Sequence, residues 1–214
     1  MRLPEQDHYQ IARDTALRRL EGRLDGPRLE RLGVETSEGR GVLTVPVLRW
    51  EVSVRLDPYA MTLLPEGRQV AIAWQILVLN YMGSQSPEPP RGFRSFADFS
   101  EARGYQSAFE GRVNRRLSYT AGRELDGFLA AARRLGAAVV EGEPVRCLFR
   151  FFPLLEFQVV RYEGDEDFPP SCNVLLPDNA PRLLSMEDVI VAAERLVAAL
   201  DGRTPAAPPG EPPQ

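Results

Sequence analysis

The chain has 214 residues and a net charge of −4, with 43% hydrophobic and 26% charged residues. That composition is ordinary for a soluble globular protein and supplies a core without metal or disulfide support. All 26 basic residues are arginines; this excludes a Schiff-base lysine, a lysine nucleophile and a phosphate-loop lysine, while the acidic balance argues against non-specific nucleic-acid binding.

Two cysteines, Cys147 and Cys172, do not make a secreted disulfide scaffold. The opening MRLPEQDHYQIARD carries acids where an export signal needs an apolar run. The longest apolar stretch, Val70 to Leu79, is about half of the ~20 residues a membrane span needs. The expected location is therefore the cytoplasm, with no membrane partner.

Pro4 suits the first turn of a helix, and Tyr9, Ala12, Ala16, Leu20 and Leu24 then recur at helical spacing. Gly26-Pro27 is read as its stop, followed by a short segment at Leu29 to Leu32 and a polar loop, ETSEGRG. From Val42 to Leu56 β-formers partly alternate, and Pro46 interrupts them, giving two strands or one strand bent at the proline. Asp57-Pro58 and Leu64 to Gly67 read as turns. Arg68 to Met82 is apolar almost all round, and its length and terminal Gly83 predict a buried central helix.

Ser84 to Gly92 is Pro-rich and has the composition of a linker. The helix before it cannot bury its surface alone, so the connector is placed inside one domain. Phe93, Phe96 and Phe99 follow without a clear period. Helical patterns occupy Tyr105 to Leu117 and Ala121 to Leu135, and strands Ala137 to Val140, Val145 to Phe152 and Leu154 to Tyr162. In the last of these, Leu155, Phe157, Val159 and Arg161 share one phase. Cys172 to Leu176 is a further strand. Ser185 to Leu200 is the clearest helix, with Ser185 as its cap and Asp188 closing a capping box. The order of elements predicts an α+β fold, with a buried central helix and flanking helices packed on a mainly antiparallel sheet. A single domain is expected over 1–201, with a disordered Pro-rich tail over 202–214.

The densest acid cluster is Asp165, Glu166 and Asp167, followed by Phe168 and Pro169-Pro170. Carboxylates two apart along a turn can converge on a divalent ion, which makes Asp165 and Asp167 candidate metal ligands; the same group offers paired carboxylates for acid–base work. A solvated turn is the alternative. Arg112, Arg115 and Arg116 lie on one side of a helix, where guanidinium groups can hold a phosphate or carboxylate or else pair with neighbouring acids. The chain has one histidine, His8, so a Cys172/His8 dyad or a Ser-His-Asp triad depends on a single long-range contact. No CxxC or HxxxH spacing supports zinc, and with only two cysteines an iron–sulfur cluster held by four thiolates within one chain is excluded by count.

Several stretches resemble the bacterial domain-of-unknown-function family 3786, over about Tyr9 to Leu200. They are the apolar helix ending Ile76 to Tyr81, the segment Phe93 to Phe99, and Gly104-Tyr105 with Phe109. Strongest are Gly164 to Pro169, Val174 to Asp178 and Leu183 to Asp188. Pro177 stands where the family pattern has an aromatic. The resemblance implies a discrete α+β domain, found mainly in anaerobic bacteria and their relatives, with no catalytic signature. Some relatives carry an added cysteine-rich iron–sulfur segment, which this chain does not share.

The expected function is a non-catalytic accessory module that binds a partner protein or a small anionic cofactor through the Asp165–Pro170 loop and neighbouring arginines. The alternative is a divalent-metal-dependent enzyme built on Asp165, Glu166 and Asp167. The residues name no cofactor.

Overall fold

The alternating residues from Val42 onward form a meander in the amino-terminal half of the protein. The computed structural model describes residues 4–37, 41–84 and 88–207. Of these, the residues up to 84 together with 205–207 form one compact unit, and Glu88–Thr204 form another.

In the first unit, α1 (Pro4–Leu20) and α2 (Gly26–Arg31) precede a five-stranded sheet. Its strands are β1 (Glu35–Ser37), β2 (Val42–Val47), β3 (Trp50–Leu56), β4 (Tyr59–Leu64) and β5 (Arg68–Gln69), paired antiparallel in chain order. Gly26-Pro27 opens α2, because a proline in the first helical turn gives up no intrahelical hydrogen bond. The chain does not turn at Pro46. That residue lies within β2 opposite Glu51, and the turn falls at Leu48 and Arg49, with Leu48 at φ 53°. β1 stops opposite Thr44, so Pro46 faces no strand on that side and its missing N–H breaks no ladder. Tyr59–Leu64, which carries no assigned element in the sequence, is β4, with Met61 and Leu63 buried. Part of the stretch read as a polar loop is β1, and residues 38–40 lie outside the described residues.

Helix α3 (Ile72–Met82) is buried through Trp74, Leu77, Val78, Tyr81 and Met82. It starts later than Arg68 because Arg68 and Gln69 pair with β4. Its carboxyl end is capped by guanidinium groups, as orphan helix carbonyls require. Arg23 donates to Gly83 O at 3.0 Å, and Arg28 donates to Met82 O at 2.8 Å and to Ser84 O. The division between the two compact units falls inside the Pro-rich connector. α1 packs on α3 and Trp50 meets Trp74 edge-on, so the first unit itself covers the apolar helix. Residues 85–87 lie outside the described residues. Of the tail, Ala206 bridges to Val70 and Pro205 O accepts from Ala71 N, whereas 208–214 lie outside the described residues.

The second unit opens with β6 (Phe93–Arg94) and two 3-10 turns, Phe96–Asp98 and Ser100–Ala102. A helical stretch follows: α4 (Gln106–Phe109), a π-helical segment (Glu110–Arg115) and α5 (Arg116–Tyr119). Next come α6 (Leu125–Arg134), β7 (Ala138–Val140), β8 (Val145–Phe152), β9 (Leu155–Tyr162), β10 (Ser171–Pro177), α7 (Ala180–Leu183) and α8 (Met186–Leu200). The strands form a second antiparallel sheet of order β6-β10-β9-β8-β7. The α+β class and antiparallel pairing therefore hold, with the strands divided between two sheets. Ser185 caps α8 by accepting from Asp188 N.

β6 pairs only with Leu176 and Pro177, which leaves the rest of that edge of β10 without a strand. The helical stretch fills it with side chains. Cys172 N donates to Ser118 Oγ at 2.9 Å and Val174 N donates to Asn114 Oδ1 at 3.0 Å. The fit is geometric: four helical residues rise ~6 Å and two strand residues ~6.6 Å. Asn114→Ala leaves the Val174 N–H without its acceptor, so a loss of about 1–2 kcal/mol is expected in urea unfolding. The exposed Arg115→Ala should change stability by less than about 0.5 kcal/mol.

Candidate recognition site

β9 and β10 are joined by the segment that carries the acid cluster. Its shape follows from a side chain that folds back on the backbone. Asp165 Oδ1 accepts from Asp167 N at 2.9 Å and from Phe168 N at 2.8 Å, while Asp165 N donates to Phe168 O at 2.9 Å. This is an Asx-type turn. A Cβ added at Gly164 would lie 2.7 Å from Pro170 N and Cδ and 2.8 Å from Phe168 O, so the turn closes tightly over a glycine. Asp165, Glu166, Asp167 and Phe168 are all exposed, Phe168 at 71%.

Near the end of β9, ahead of the turn, sits Arg161, 2% exposed. Its guanidinium donates to Gly122 O at 2.9 Å, to Arg123 O at 3.2 Å and to the two Glu163 carboxylate oxygens at 2.7 and 3.3 Å. Planar, always charged and rich in donors, it suits a buried position only because these acceptors surround it. The Arg161 hydrogen bonds hold the Glu163 carboxyl below the usual carboxylate range. Its contribution is therefore complete above the ordinary carboxylate pKa and fades as pH falls through the lowered one. Arg161 was legible only as an arginine in phase with Leu155, Phe157 and Val159 on a buried strand face.

Gly122, whose carbonyl Arg161 reaches, is tightly packed. A Cβ there would meet Cys172 Sγ at 2.4 Å and Leu117 O at 2.8 Å. The helix–turn, the buried arginine and β10 thus approach to a distance that only glycine permits.

The structure brings Asp165, Glu166, Asp167 and Phe168 together in one turn. It does not join them to the arginines by any hydrogen bond or ion pair among the described residues. Arg112 faces Glu194 at 3.7 Å, Arg115 is exposed and Arg116 half-buried, all on the π segment and the start of α5. The metal reading meets a geometric obstacle. Asp165 Oδ1 is occupied by two backbone N–H groups, and among the described residues no three His, Cys, Asp or Glu side chains converge on an ion. Asp188 is bound to Ser185 at the start of α8 instead.

Both thiols are buried and free. Burial pushes Cys147 and Cys172 up to about 11 from an ordinary 9.0. His8 lies exposed on α1. At pH 8 about a thousandth of such a thiol is thiolate, so labelling by a disulfide reagent should be slow in native buffer and complete in urea. Because these folded-state pKa values are raised, the thiols' contribution to stability is intact below pH 9.0 and is lost as pH rises toward about 11. Melting temperatures recorded across that window check it.

By fold this is an α+β protein with two antiparallel sheets, and an exposed acidic turn joins β9 to β10. No helix among the described residues is long and apolar enough to cross a membrane. The family model described as a domain of unknown function (DUF3786) matches residues 28–199, and the chain belongs to that family. No curated protein and no solved structure matches it.

Proposed function

We propose that the chain is a non-catalytic, cytoplasmic recognition module that docks a basic segment of a partner protein on the Asp165–Phe168 turn. The observation that carries the reading is an aromatic ring, Phe168, 71% exposed on a turn whose backbone is tied by three hydrogen bonds. An exposed ring flanked by carboxylates offers apolar contact and charge attraction to arginine or lysine side chains. A turn already fixed loses little freedom on binding. Tyr162, paired with Ser171 at the mouth of the same loop, adds a second exposed ring at 45%.

The test uses a fluorescein-labelled nona-arginine peptide, followed by anisotropy at several salt concentrations. Phe168→Ala, which leaves every charge in place, is expected to weaken binding at least fivefold, and Asp165→Asn with Asp167→Asn to flatten the salt dependence. Equal affinity of wild type and Phe168→Ala would reduce the effect to general acidity and end the proposal. An anionic cofactor held by Arg112, Arg115 and Arg116 has less support, since Arg112 already faces Glu194. The metal-dependent enzyme would regain support if Mg²⁺, Ca²⁺ or Mn²⁺ raised the melting temperature and Asp167→Asn abolished the rise.

A further inference from the structure

β5 is the last strand of the first sheet, and a segment from beyond α8 lies along its outer edge. On the inner side β5 pairs with β4, Thr62 opposite Gln69 and Leu63 opposite Arg68. On the outer side Ala71 N donates to Pro205 O at 2.8 Å and Ala207 N donates to Gln69 O at 2.7 Å. Between these bonds Ala206 stands opposite Val70 in an antiparallel bridge. Pro205–Ala207 thus extends the sheet by one short strand, outside the residues 28–199 that the family model matches.

The edge is held ready from behind. Val70 is 1% exposed and both of its backbone groups are taken. Its N–H donates to Met61 O at 3.1 Å, and its carbonyl accepts from Gln75 Nε2 at 2.6 Å. Gln75, itself 1% exposed, is fixed in turn by the Tyr59 hydroxyl, which donates to its Oε1 at 2.7 Å. With Val70 locked, the Gln69 carbonyl and the Ala71 N–H on either side of it face outward as one acceptor and one donor. An incoming strand needs only a carbonyl and, two residues on, an N–H.

The occupant is held lightly, by two backbone hydrogen bonds and the small side chains of Pro205, Ala206 and Ala207. Pro205 and Pro208 have no N–H, so the ladder runs no further along the edge. We infer that this edge exchanges strands: in a pair of copies, Pro205–Ala207 of each chain occupies the Gln69–Ala71 edge of the other. The strand detaches more readily than the sheet opens, and the edge it leaves is of the kind that pairs with another chain. The segment already seated there shows which sequence fits it. The contact made within one chain is the contact made between two, so the exchange closes as a symmetric pair. Residues 201–204 are a short connection, which presents the strand to its own edge at an effective concentration on the order of millimolar. Exchange between copies therefore sets in as the protein approaches that concentration.

Amide exchange on the full chain tests the release. The Val70 N–H bonds into β4 and the Ala71 N–H bonds to Pro205 O, so Ala71 is expected to exchange at least about tenfold faster than Val70 after correction for intrinsic rates. Sedimentation equilibrium tests the pairing: wild type should pass from monomer toward dimer as its concentration rises to about 1 mM. Ala207→Pro, which removes the N–H bonded to Gln69 O, should stay monomeric, and Ala207→Ser, which keeps it, should behave as wild type. The inference is overturned if Ala71 exchanges no faster than Val70, if wild type stays monomeric up to that concentration, or if Ala207→Pro dimerises like wild type. The acidic turn is untouched by these variants, so the nona-arginine result stands apart from this one.

Discussion

Alanine at position 122 is expected to destabilise the protein by about 3 kcal/mol, the upper part of the range for overpacking a close contact. The added methyl would sit 2.4 Å from Cys172 Sγ, well inside van der Waals contact, and 2.8 Å from Leu117 O. Neither neighbour can step aside freely. Cys172 is fixed on β10 by its N–H bond to Ser118, and Leu117 O already accepts from Gly122 N at 2.8 Å. Urea unfolding reads the loss. A double-mutant cycle with Cys172→Ala separates the two clashes, since only the sulfur contact is relieved. Partial rescue of Gly122→Ala by Cys172→Ala is expected, with a coupling of about 1 kcal/mol or more. Full additivity would show that the sulfur is not what the methyl meets.

Arg161→Ala is expected to cost about 2–4 kcal/mol, since it strips the donor from two backbone carbonyls and a carboxylate at a buried position. Arg161→Lys should recover little. A single ammonium cannot reach Gly122 O, Arg123 O and both Glu163 oxygens, which the guanidinium spans with three nitrogens. Glu163→Gln and Arg161→Ala also separate the ion pair from the rest of the Arg161 hydrogen bonds. Glu163→Gln keeps the segment's length and weakens only the ion pair, and at 49% side-chain exposure that pair is partly screened by water. Arg161→Ala should loosen the acidic turn, read as faster amide exchange at Asp167 and Phe168, whose N–H groups bond to Asp165. Unchanged exchange at those amides would show that the turn needs no support from Arg161.

Periodicity exposed much of this fold. The β8–β9 hairpin and α8 follow from a local repeat of apolar residues and α3 from an unbroken apolar run, and local patterns are what a sequence displays. The misses share a cause. Pro46 looked like a break because its strand neighbours were unknown, and it is harmless only because β1 ends opposite Thr44. Tyr59–Leu64 is too short between two turn signals to show a period by itself. The division of the strands between two sheets depends on which strands pair, a non-local choice.

The site was legible in the same uneven way. Asp165, Glu166, Asp167 and Phe168 stand together because they are adjacent in the chain. The buried arginine that precedes them, Arg161, bonds to Gly122, 39 residues away, and no spacing rule reaches that far. Asp165 turned its carboxylate onto its own backbone, which cannot be told in advance from one left free for an ion. The pairing of Pro205–Ala207 carried no signal at all: it depends on the distant Gln69–Ala71 edge, and only packing reveals that.

The side chains that cover β10 take the place of a missing strand. A bare row of strand N–H groups is a template onto which a foreign chain can zip, and natural sheets hide such rows to stay dispersed. Here concealment is delegated to an amide and a hydroxyl, Asn114 and Ser118, rather than to another strand. Loss of either side chain would leave the Cys172 or Val174 N–H without its acceptor, beneath a helical stretch that still lies against β10.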